Sequence, residues 1–446
     1  MASFIQKSIK RVAIIGGGPG GIAAARALRN EGAFDTITIF ERNDHTGGTW
    51  KYSPLTNPPP PIPSTNALTV DSTLQLDQLH SPIYAGLHTN LPKSVMCFQD
   101  APFGDQDPLY LHHTQVLKYL TDLTEAENLS PLIRFSTLVE KVEFVDGDGW
   151  KVSVKNGNKR YTQEFDAVVV ATGHYAVPFV PDVRGLAELN ENKRVPVMHS
   201  RDYRHPDGFK DKKILVIGGG SSAIDIVREA ASVATTVYQY IRTPTELSRQ
   251  ALESYPPNIK QVNAVTGIGH DSTKSWVEFE NQDPLHDLDA IIFGTGYLYS
   301  YPFFPFQKDN LIVTGQKVHH LDHYMFYQNN ATLCFLGLPI RVVPMPLMQR
   351  QSIVMARYWS GKIPMVPHTN TCSTNTDTTD ARTDFVMGVA REVDYSEKLG
   401  AWAEGWTDAA NIDAWQSTDL LTGRITEQWL QLRKNALAIR RDYLGY

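Results

Sequence analysis

The sequence predicts an α/β fold with two Rossmann-like dinucleotide-binding domains, the second inserted in the first. Two modules are indicated because an apolar strand, a glycine-rich turn and a helical pattern follow one another after Arg11 and again after Lys213. The insertion is indicated by two similar segments, DAVVVATGHY at 166–175 and DAIIFGTGY at 289–297. Each of these segments is predicted to close one module with a buried strand and a small-residue turn.

The insertion sets the predicted domain boundaries. Residues 1–176 and 297–446 would form the first domain, and residues 177–296 would form the second. The apolar run LCFLGL at 333–338 is predicted as the last strand of the first domain. The chain would therefore leave the first domain once and return to it.

The C-terminal part of the chain divides into two stretches. Residues 369–384 are polar and of low complexity, which is typical of a surface loop. Residues 396–446 are predicted to be mainly helical. Tryptophans of this stretch are predicted to pack as core: Trp402, Trp406, Trp415 and Trp429.

The first module carries the G-x-G-x-x-G pattern at Gly16, Gly18 and Gly21. Gly16 allows a tight turn, Gly18 lets backbone approach a pyrophosphate, and Gly21 permits close packing of helix on strand. The helix N-terminus can hold the phosphate charge. The next strand ends at Glu41, whose carboxylate can accept hydrogen bonds from a ribose.

The second module repeats the pattern at Gly218, Gly220 and Ala223, but its second strand ends at Arg242 and Thr243 rather than at an acid. An arginine there can pair with a ribose 2′-phosphate, which favours NADPH over NADH. The alternative for Arg242 is a solvated surface cation. Since hydride transfer needs an acceptor beside the nicotinamide, the first module is predicted to bind FAD.

Composition excludes several other classes of protein. The 446 residues carry a formal charge of −6, which argues against a nucleic-acid surface. The three cysteines are far apart, so no redox dithiol or zinc ribbon is encoded. No metal site is predicted, because no acid-cysteine set accompanies the group His319, His320 and His323. No apolar run is long enough to span a membrane, and a cytoplasmic location is predicted.

Taken together, the motifs resemble those of the flavin-containing monooxygenases. The resemblance rests on GGGPGG, GGTW at 47–50, LHTNLPK at 87–93, ATGHY, GGGSSAID and GTGY, in this order. It extends from about residue 10 to about residue 360, and the short fungal-type members look closest. One family signature, F-x-G-x-x-x-H-x-x-x-[FY], is altered at 193–203, where Lys193 and Val195 replace phenylalanine and glycine while His199 and Tyr203 fit.

The resemblance implies an NADPH- and O2-dependent enzyme that binds FAD and oxygenates a nucleophilic nitrogen or sulfur of a small molecule through a flavin hydroperoxide. Tyr203, where Baeyer-Villiger enzymes have tryptophan, favours heteroatom oxygenation. A Baeyer-Villiger or N-hydroxylating monooxygenase stays open as an alternative, as does a flavin reductase without oxygenation. A homodimer is also left open.

The resemblance also implies which residues form the site. Asn90 would be the catalytic residue near flavin and nicotinamide, since an amide offers both a donor and an acceptor. The alternative interpretations are a turn asparagine for Asn90, a first-turn helix acid for Asp225 and a core aromatic for Trp50. The predicted cofactor contacts are Gly16, Gly18, Pro19, Gly20, Gly21, Glu41, Gly48, Thr49, Trp50, Thr89, Asn90, Leu91, Gly218, Gly220, Ser221, Ser222, Ala223, Asp225, Arg242, Thr243 and Gln349.

Overall fold

The computed structural model describes residues 8–147, 149–193, 195–271, 274–305, 310–366 and 381–445. The strands in these ranges are, in chain order, β1 (Arg11–Ile15), β2 (Thr36–Phe40), β3 (Ile133–Arg134), β4 (Thr137–Val145), β5 (Gly149–Asn156), β6 (Lys159–Phe165), β7 (Ala167–Val170), β8 (Val177–Pro178), β9 (Val197–His199), β10 (Lys213–Ile217), β11 (Thr236–Tyr240), β12 (Ile259–Val262), β13 (Val265–His270), β14 (Ser275–Phe279), β15 (Gln282–His286), β16 (Ala290–Phe293), β17 (Tyr297–Leu298), β18 (Leu321–Asp322), β19 (Phe326–Tyr327) and β20 (Leu333–Phe335).

The α-helices of the same ranges connect and cover these strands. They are α1 (Pro19–Glu31), α2 (Ala67–Val70), α3 (Lys93–Met96), α4 (His113–Ala126), α5 (Leu186–Asn192), α6 (Ser221–Ala231), α7 (Glu246–Glu253), α8 (Pro344–Trp359), α9 (Gly388–Ala403), α10 (Glu427–Lys434) and α11 (Ala436–Leu444).

The first sheet has the strand order β18-β19-β20-β7-β1-β2-β3 among the described residues. β1 lies between β2 and β7, and both pairs are parallel. Because helices cover both faces of such a sheet, its strands are continuously apolar, and Val12, Ala13 and Ile14 have no exposed surface. β20 pairs in parallel with β7, so a strand is confirmed within the predicted range 333–338, although it ends at Phe335.

The second sheet repeats this arrangement in the order β12-β11-β10-β16-β9, with every pair parallel. All of its strands lie between β7 and β18 in the sequence. The predicted α/β fold, with one Rossmann-like module inserted in the other, is therefore confirmed. The connections that leave and re-enter the first sheet pair with each other as the antiparallel strands β8 and β17.

α1 shows why the chain is helical where the fingerprint predicts it. Its first residue, Pro19, needs no hydrogen-bond acceptor for a backbone N–H and already has the φ of a helix. The helix ends at Gly32, whose φ of 70° is left-handed and whose N–H donates to the Arg29 carbonyl at 3.1 Å. Its alanine-rich interior packs without exposed surface at Ala24 and Ala25.

The C-terminal stretch follows the prediction in part. Trp402 and Trp415 are buried, whereas Trp406 and Trp429 are only half-buried. Of the predicted surface loop, residues 369–380 lie outside the described residues, and 381–384 belong to a short 3₁₀ helix. Within the described ranges, no helix is long and apolar enough to cross a membrane.

Candidate active site

A continuous cleft borders the glycine turns of both modules and has a volume of about 2010 Å³. Sites for one drug-sized ligand measure about 300–1,000 Å³, so this cleft has room for more than one such ligand. It is enclosed by the carboxyl ends of β1 and β10 and by the segment that carries Asn90. Ligands in open α/β sheets bind at such strand ends.

The structure brings most of the predicted residues together at this cleft. The predicted residues that line it are Gly16, Gly18, Pro19, Gly20, Glu41, Gly48, Thr49, Trp50, Thr89, Asn90, Leu91, Gly218, Gly220, Ser221, Ser222, Asp225, Arg242 and Thr243. Gly21, Ala223 and Gln349 do not line it.

The first glycine turn fits a pyrophosphate group. Gly16 has a φ of 105°, and a Cβ there would lie 2.6 Å from the Ala171 carbonyl oxygen. A Cβ on Gly21 would overlap the Gly16 carbonyl oxygen, so Gly21 serves the packing of α1 on the turn. Gly18 is the N-cap of α1 and supplies no side chain to the first N–H groups of the helix. These donors are therefore available to phosphate oxygens.

The GGTW segment lies against this turn. Gly48 has a φ of 55°, and a Cβ on Gly48 would lie 2.9 Å from the Gly18 Cα. The Thr49 carbonyl accepts a hydrogen bond from the Ser81 hydroxyl, which fixes the segment to the chain that leads to Asn90. Trp50 is half-buried and lines the cleft. At Gly48 the wall is therefore bare backbone, which allows a large cofactor to approach closely.

Glu41 is buried at the end of β2 and is held by backbone. Its Oε2 accepts from the Gly17 N–H at 2.6 Å, and its Oε1 accepts from the Asn43 N–H at 2.8 Å. Burial raises the pKa of Glu41 above its ordinary value, although both N–H groups oppose this shift. Each carboxyl oxygen keeps a further lone pair, so Glu41 can still accept from a ribose hydroxyl.

The second glycine turn has the same construction. Gly218 has a φ of 146°, and a Cβ there would overlap the Gly294 carbonyl oxygen. Gly220 is the N-cap of α6 and gives no side-chain hydrogen bond, while Ala223 is fully buried beneath the turn. Arg242 is exposed at the cleft edge just beyond β11, and its guanidinium forms no ion pair with any described residue. It is therefore available to a phosphate.

The Asn90 segment is held in place by its neighbour. Thr89 is buried, its N–H donates to the Leu111 carbonyl at 2.8 Å, and its Oγ1 accepts from the Leu111 N–H at 3.1 Å. The Thr89 hydroxyl also donates to the Leu91 carbonyl at 2.9 Å. The Asn90 amide lines the cleft and makes no hydrogen bond to the described residues. A rigid support thus presents a free donor and acceptor.

A histidine cluster lies directly behind this segment. His113 begins α4, is buried, and packs its ring 4.1 Å from His112 and 5.5 Å from Tyr52, which lines the cleft. Burial, helped by the neighbouring His112, lowers the pKa of His113 from the ordinary 6.5 to about 4. The folded protein therefore keeps this ring neutral.

Because the unfolded chain binds a proton at His113 more readily than the folded protein, stability should fall as the pH drops from 6.5 towards 4. We expect His113→Gln to reduce the difference in Tm measured at about pH 7.5 and about pH 5. The matched control is His286→Gln, because His286 is exposed. An unchanged pH dependence in His113→Gln would contradict this role of the buried ring.

Gln349 differs from the prediction. It is buried in α8, where its Oε1 accepts from the Gln99 N–H at 2.8 Å and its Nε2 donates to Asp100 at 2.7 Å. These contacts direct the amide away from the cleft. The residues of α8 that line the cleft instead are Pro344, Met345, Leu347 and Met348.

Asp225, which lines the cleft, and Tyr203 have contacts that the sequence did not indicate. Asp225 is the fifth residue of α6, so it is not a first-turn acid, and its carboxylate contacts Tyr84 and Arg440. Tyr203 is buried in the core of the second module and donates to Glu229 at 2.7 Å. Because Tyr203 does not line the cleft, its identity does not act directly on a bound substrate.

Sequence reasoning assigned no role to several aromatic residues of the cleft. His174 and Tyr175 follow β7, Tyr297 begins β17, and all three line the cleft. The Tyr175 and Tyr297 rings lie 5.4 Å apart in an edge-to-face arrangement. The ATGHY and GTGY motifs contain them, so their position after the two closing strands was a usable signal.

Comparison with known proteins identifies the family. Residues 74–268 match the family described as flavin-binding monooxygenase-like, and residues 14–69 match the NAD(P)-binding Rossmann-like domain. The chain is 33% identical over 367 residues to the flavin-containing monooxygenase FMO GS-OX-like 2 of Arabidopsis thaliana. This match covers 79% of this chain and 74% of that protein.

Two further similarities agree with this match. The thiol-specific monooxygenase of Saccharomyces cerevisiae is 31% identical over 384 residues, covering 82% of this chain and 81% of that protein. The structure of S-allyl-L-cysteine S-oxygenase from Allium sativum superposes with a TM-score of 0.78 and 28% identity, over 97% of this chain and 93% of that chain. The chain therefore belongs to the family of FAD- and NADPH-dependent flavin-binding monooxygenases.

Proposed function

We propose that this enzyme uses NADPH and O2 to oxygenate a nucleophilic sulfur, or less readily a nitrogen, of a small molecule. The observation that carries the proposal is the cleft itself, in which two uncapped helix N-termini and the free Asn90 amide meet. The order of preference for sulfur over nitrogen rests on the relatives, since an S-oxygenase and a thiol-specific monooxygenase are among them.

Different residues of the cleft would bind the two cofactors. When bound, FAD supplies the redox and oxygen-activating chemistry, and NADPH supplies the hydride. The N-terminus of α1 and Glu41 would bind the FAD pyrophosphate and ribose, while the N-terminus of α6 and Arg242 would bind NADPH. Glu41 suits a bare ribose because its carboxylate would repel a 2′-phosphate.

Asn90 has a different task in this proposal. Its amide can donate and accept hydrogen bonds at the reacting centre without gaining or losing a proton. The anchoring of Thr89 to Leu111 would hold that amide in one position, which costs no reorganisation during the reaction. The surrounding apolar walls would exclude water.

The domain boundaries are part of the same proposal, and the cellular location and oligomeric state are considered with them. We assign residues 177–296 to the NADP-binding domain, and residues 1–176 and 297–446 to the FAD-binding domain. The pairing of β8 with β17 supports these boundaries, because the chain crosses between the sheets at both strands. The cytoplasmic location and a homodimer stay predictions from the sequence.

The chemistry is tested by supplying the FAD-loaded protein with NADPH, O2 and one of three probes: a thioether, a tertiary amine or a cyclic ketone. We expect a sulfoxide from the thioether, a slower conversion of the amine to its N-oxide, and no lactone from the ketone. A lactone as the main product would instead support Baeyer-Villiger chemistry. Hydrogen peroxide as the main product with every probe would support a reductase without oxygenation.

A further inference from the structure

Asp225 has an unusual set of partners for a residue of the second module. Its side chain is 10% exposed, and its position on α6 is one turn beyond the N-terminus that borders the cleft. Its Oδ2 accepts a hydrogen bond from the Tyr84 hydroxyl, and its Oδ1 lies 3.4 Å from the Arg440 Nη2. Tyr84 and Arg440 both come from outside the second module.

Tyr84 belongs to the segment that leads to Asn90. This segment is fixed on both sides, because the Ala85 N–H donates to the Arg204 carbonyl at 2.8 Å and the Ala85 carbonyl contacts the His112 Nε2 at 2.9 Å. The Tyr84 hydroxyl then connects the segment to α6. A movement of Asp225 would therefore be transmitted to the neighbourhood of Asn90.

Arg440 belongs to α11, the last helix of the chain. The Tyr110 hydroxyl donates to the Ala436 carbonyl at the start of this helix, and the Tyr110 and Tyr443 rings lie 5.9 Å apart. α11 is thereby attached to the first module. Arg440, whose side chain is 5% exposed, extends from it to the second module.

The pair is buried, so losing one partner has a large effect. A buried carboxylate without its counter-charge is strongly unfavourable, because the cost of removing the charge from water is then no longer offset by the attraction of the partner. An uncompensated negative charge at this place would also repel a pyrophosphate bound at the N-terminus of α6. Arg440 removes that repulsion and holds α6 in one orientation.

We infer that Asp225 is a positioning residue that aligns the NADP-binding turn with the Asn90 segment, and that Arg440 of the C-terminal helix is its counter-charge. This inference rests on the proposed function, since it assigns NADPH to the second module. Asp225 thus acts through the orientation of α6 and through its contact with Tyr84, rather than as a direct ligand of the cofactor.

The test is a calorimetric titration of the FAD-loaded protein with NADP⁺. We expect Arg440→Met to raise the Kd for NADP⁺ about tenfold, which corresponds to about 1.4 kcal/mol, with unchanged FAD content. Arg440→Lys should restore part of the affinity because it keeps the positive charge. The control is Arg441→Met, since the neighbouring Arg441 is exposed and lies 3.7 Å from an exposed Glu253.

Tyr84→Phe provides a second variant that removes only a hydroxyl group and is therefore expected to fold. Tyr84→Phe should also raise the Kd for NADP⁺, but by a smaller factor than Arg440→Met. Unchanged NADP⁺ affinity in both Arg440→Met and Tyr84→Phe would overturn the inference, and a loss of affinity in Asp225→Asn alone would make Asp225 a direct ligand. If the unmodified protein did not bind NADP⁺, the proposed function itself would fail.

Discussion

Asn90→Ala is expected to bind FAD normally and to oxidise NADPH without forming the oxygenated product. The amide is the free polar group of an anchored segment, so its removal leaves the surrounding fold intact. Loss of one fixed hydrogen-bonding group in an active site lowers the rate about 100-fold or more. The measurement is the ratio of sulfoxide formed to NADPH consumed, with hydrogen peroxide quantified in the same sample.

Asn190→Ala serves as the matched control for this variant. Asn190 lies in α5, is half-buried like Asn90, and does not line the cleft. We expect it to retain the coupling of the unmodified enzyme. Full coupling in Asn90→Ala would remove Asn90 from the reacting centre and leave it the role of a turn residue.

Arg242→Ala is expected to lower the preference for NADPH over NADH by about tenfold or more. A hydrogen bond to a charged group contributes about 1.5–3 kcal/mol, and 1.4 kcal/mol corresponds to a factor of ten. The variant should have a higher KM for NADPH, while its KM for NADH should change little. The measurement is kcat/KM for flavin reduction by each nucleotide.

Arg249→Ala is the control for the loss of one positive charge from the second module. Arg249 is exposed on α7 of the same module and does not line the cleft. A similar loss of preference in both variants would indicate a general electrostatic effect. An unchanged preference in Arg242→Ala would return Arg242 to its alternative interpretation as a solvated cation.

The parts of the fold that the sequence predicted are those specified by local pattern. Val12 to Ile15 had to be a buried strand because four apolar residues precede a glycine turn, and Gly16 had to be glycine because its φ is 105°. The second module repeats the same local requirements at Gly218. The closing strands β7 and β16 were found for the same reason.

Contacts between distant parts of the chain could not be predicted in this way. Asp225 lies 215 residues from Arg440 and 141 residues from Tyr84, and no periodicity connects them. Gln349 is a second example of a residue whose contacts the local sequence does not predict. The sequence places Gln349 correctly after the last strand, but the direction of its amide depends on Gln99 and Asp100, which are about 250 residues away.

The signature at 193–203 illustrates how burial changes an interpretation. The sequence motif indicates heteroatom oxygenation through Tyr203, but the Tyr203 ring is buried 5.7 Å from the Tyr84 ring and its hydroxyl donates to Glu229. Val195, which replaces the usual glycine, is buried in the core of the second module. These residues thus belong to the core of the second module. The residues that would determine which substrate is oxygenated are those that line the cleft.

A single-turnover experiment tests the central claim most directly. The FAD-loaded enzyme is reduced with one equivalent of NADPH without oxygen and is then mixed with O2 and a thioether. We predict about one sulfoxide per NADPH consumed and little hydrogen peroxide, because in the proposed function the cleft binds both cofactors beside Asn90 and its walls keep water from the reacting centre. One hydrogen peroxide per NADPH, in the same amount with and without the thioether, would contradict the assignment of this cleft to sulfur oxygenation.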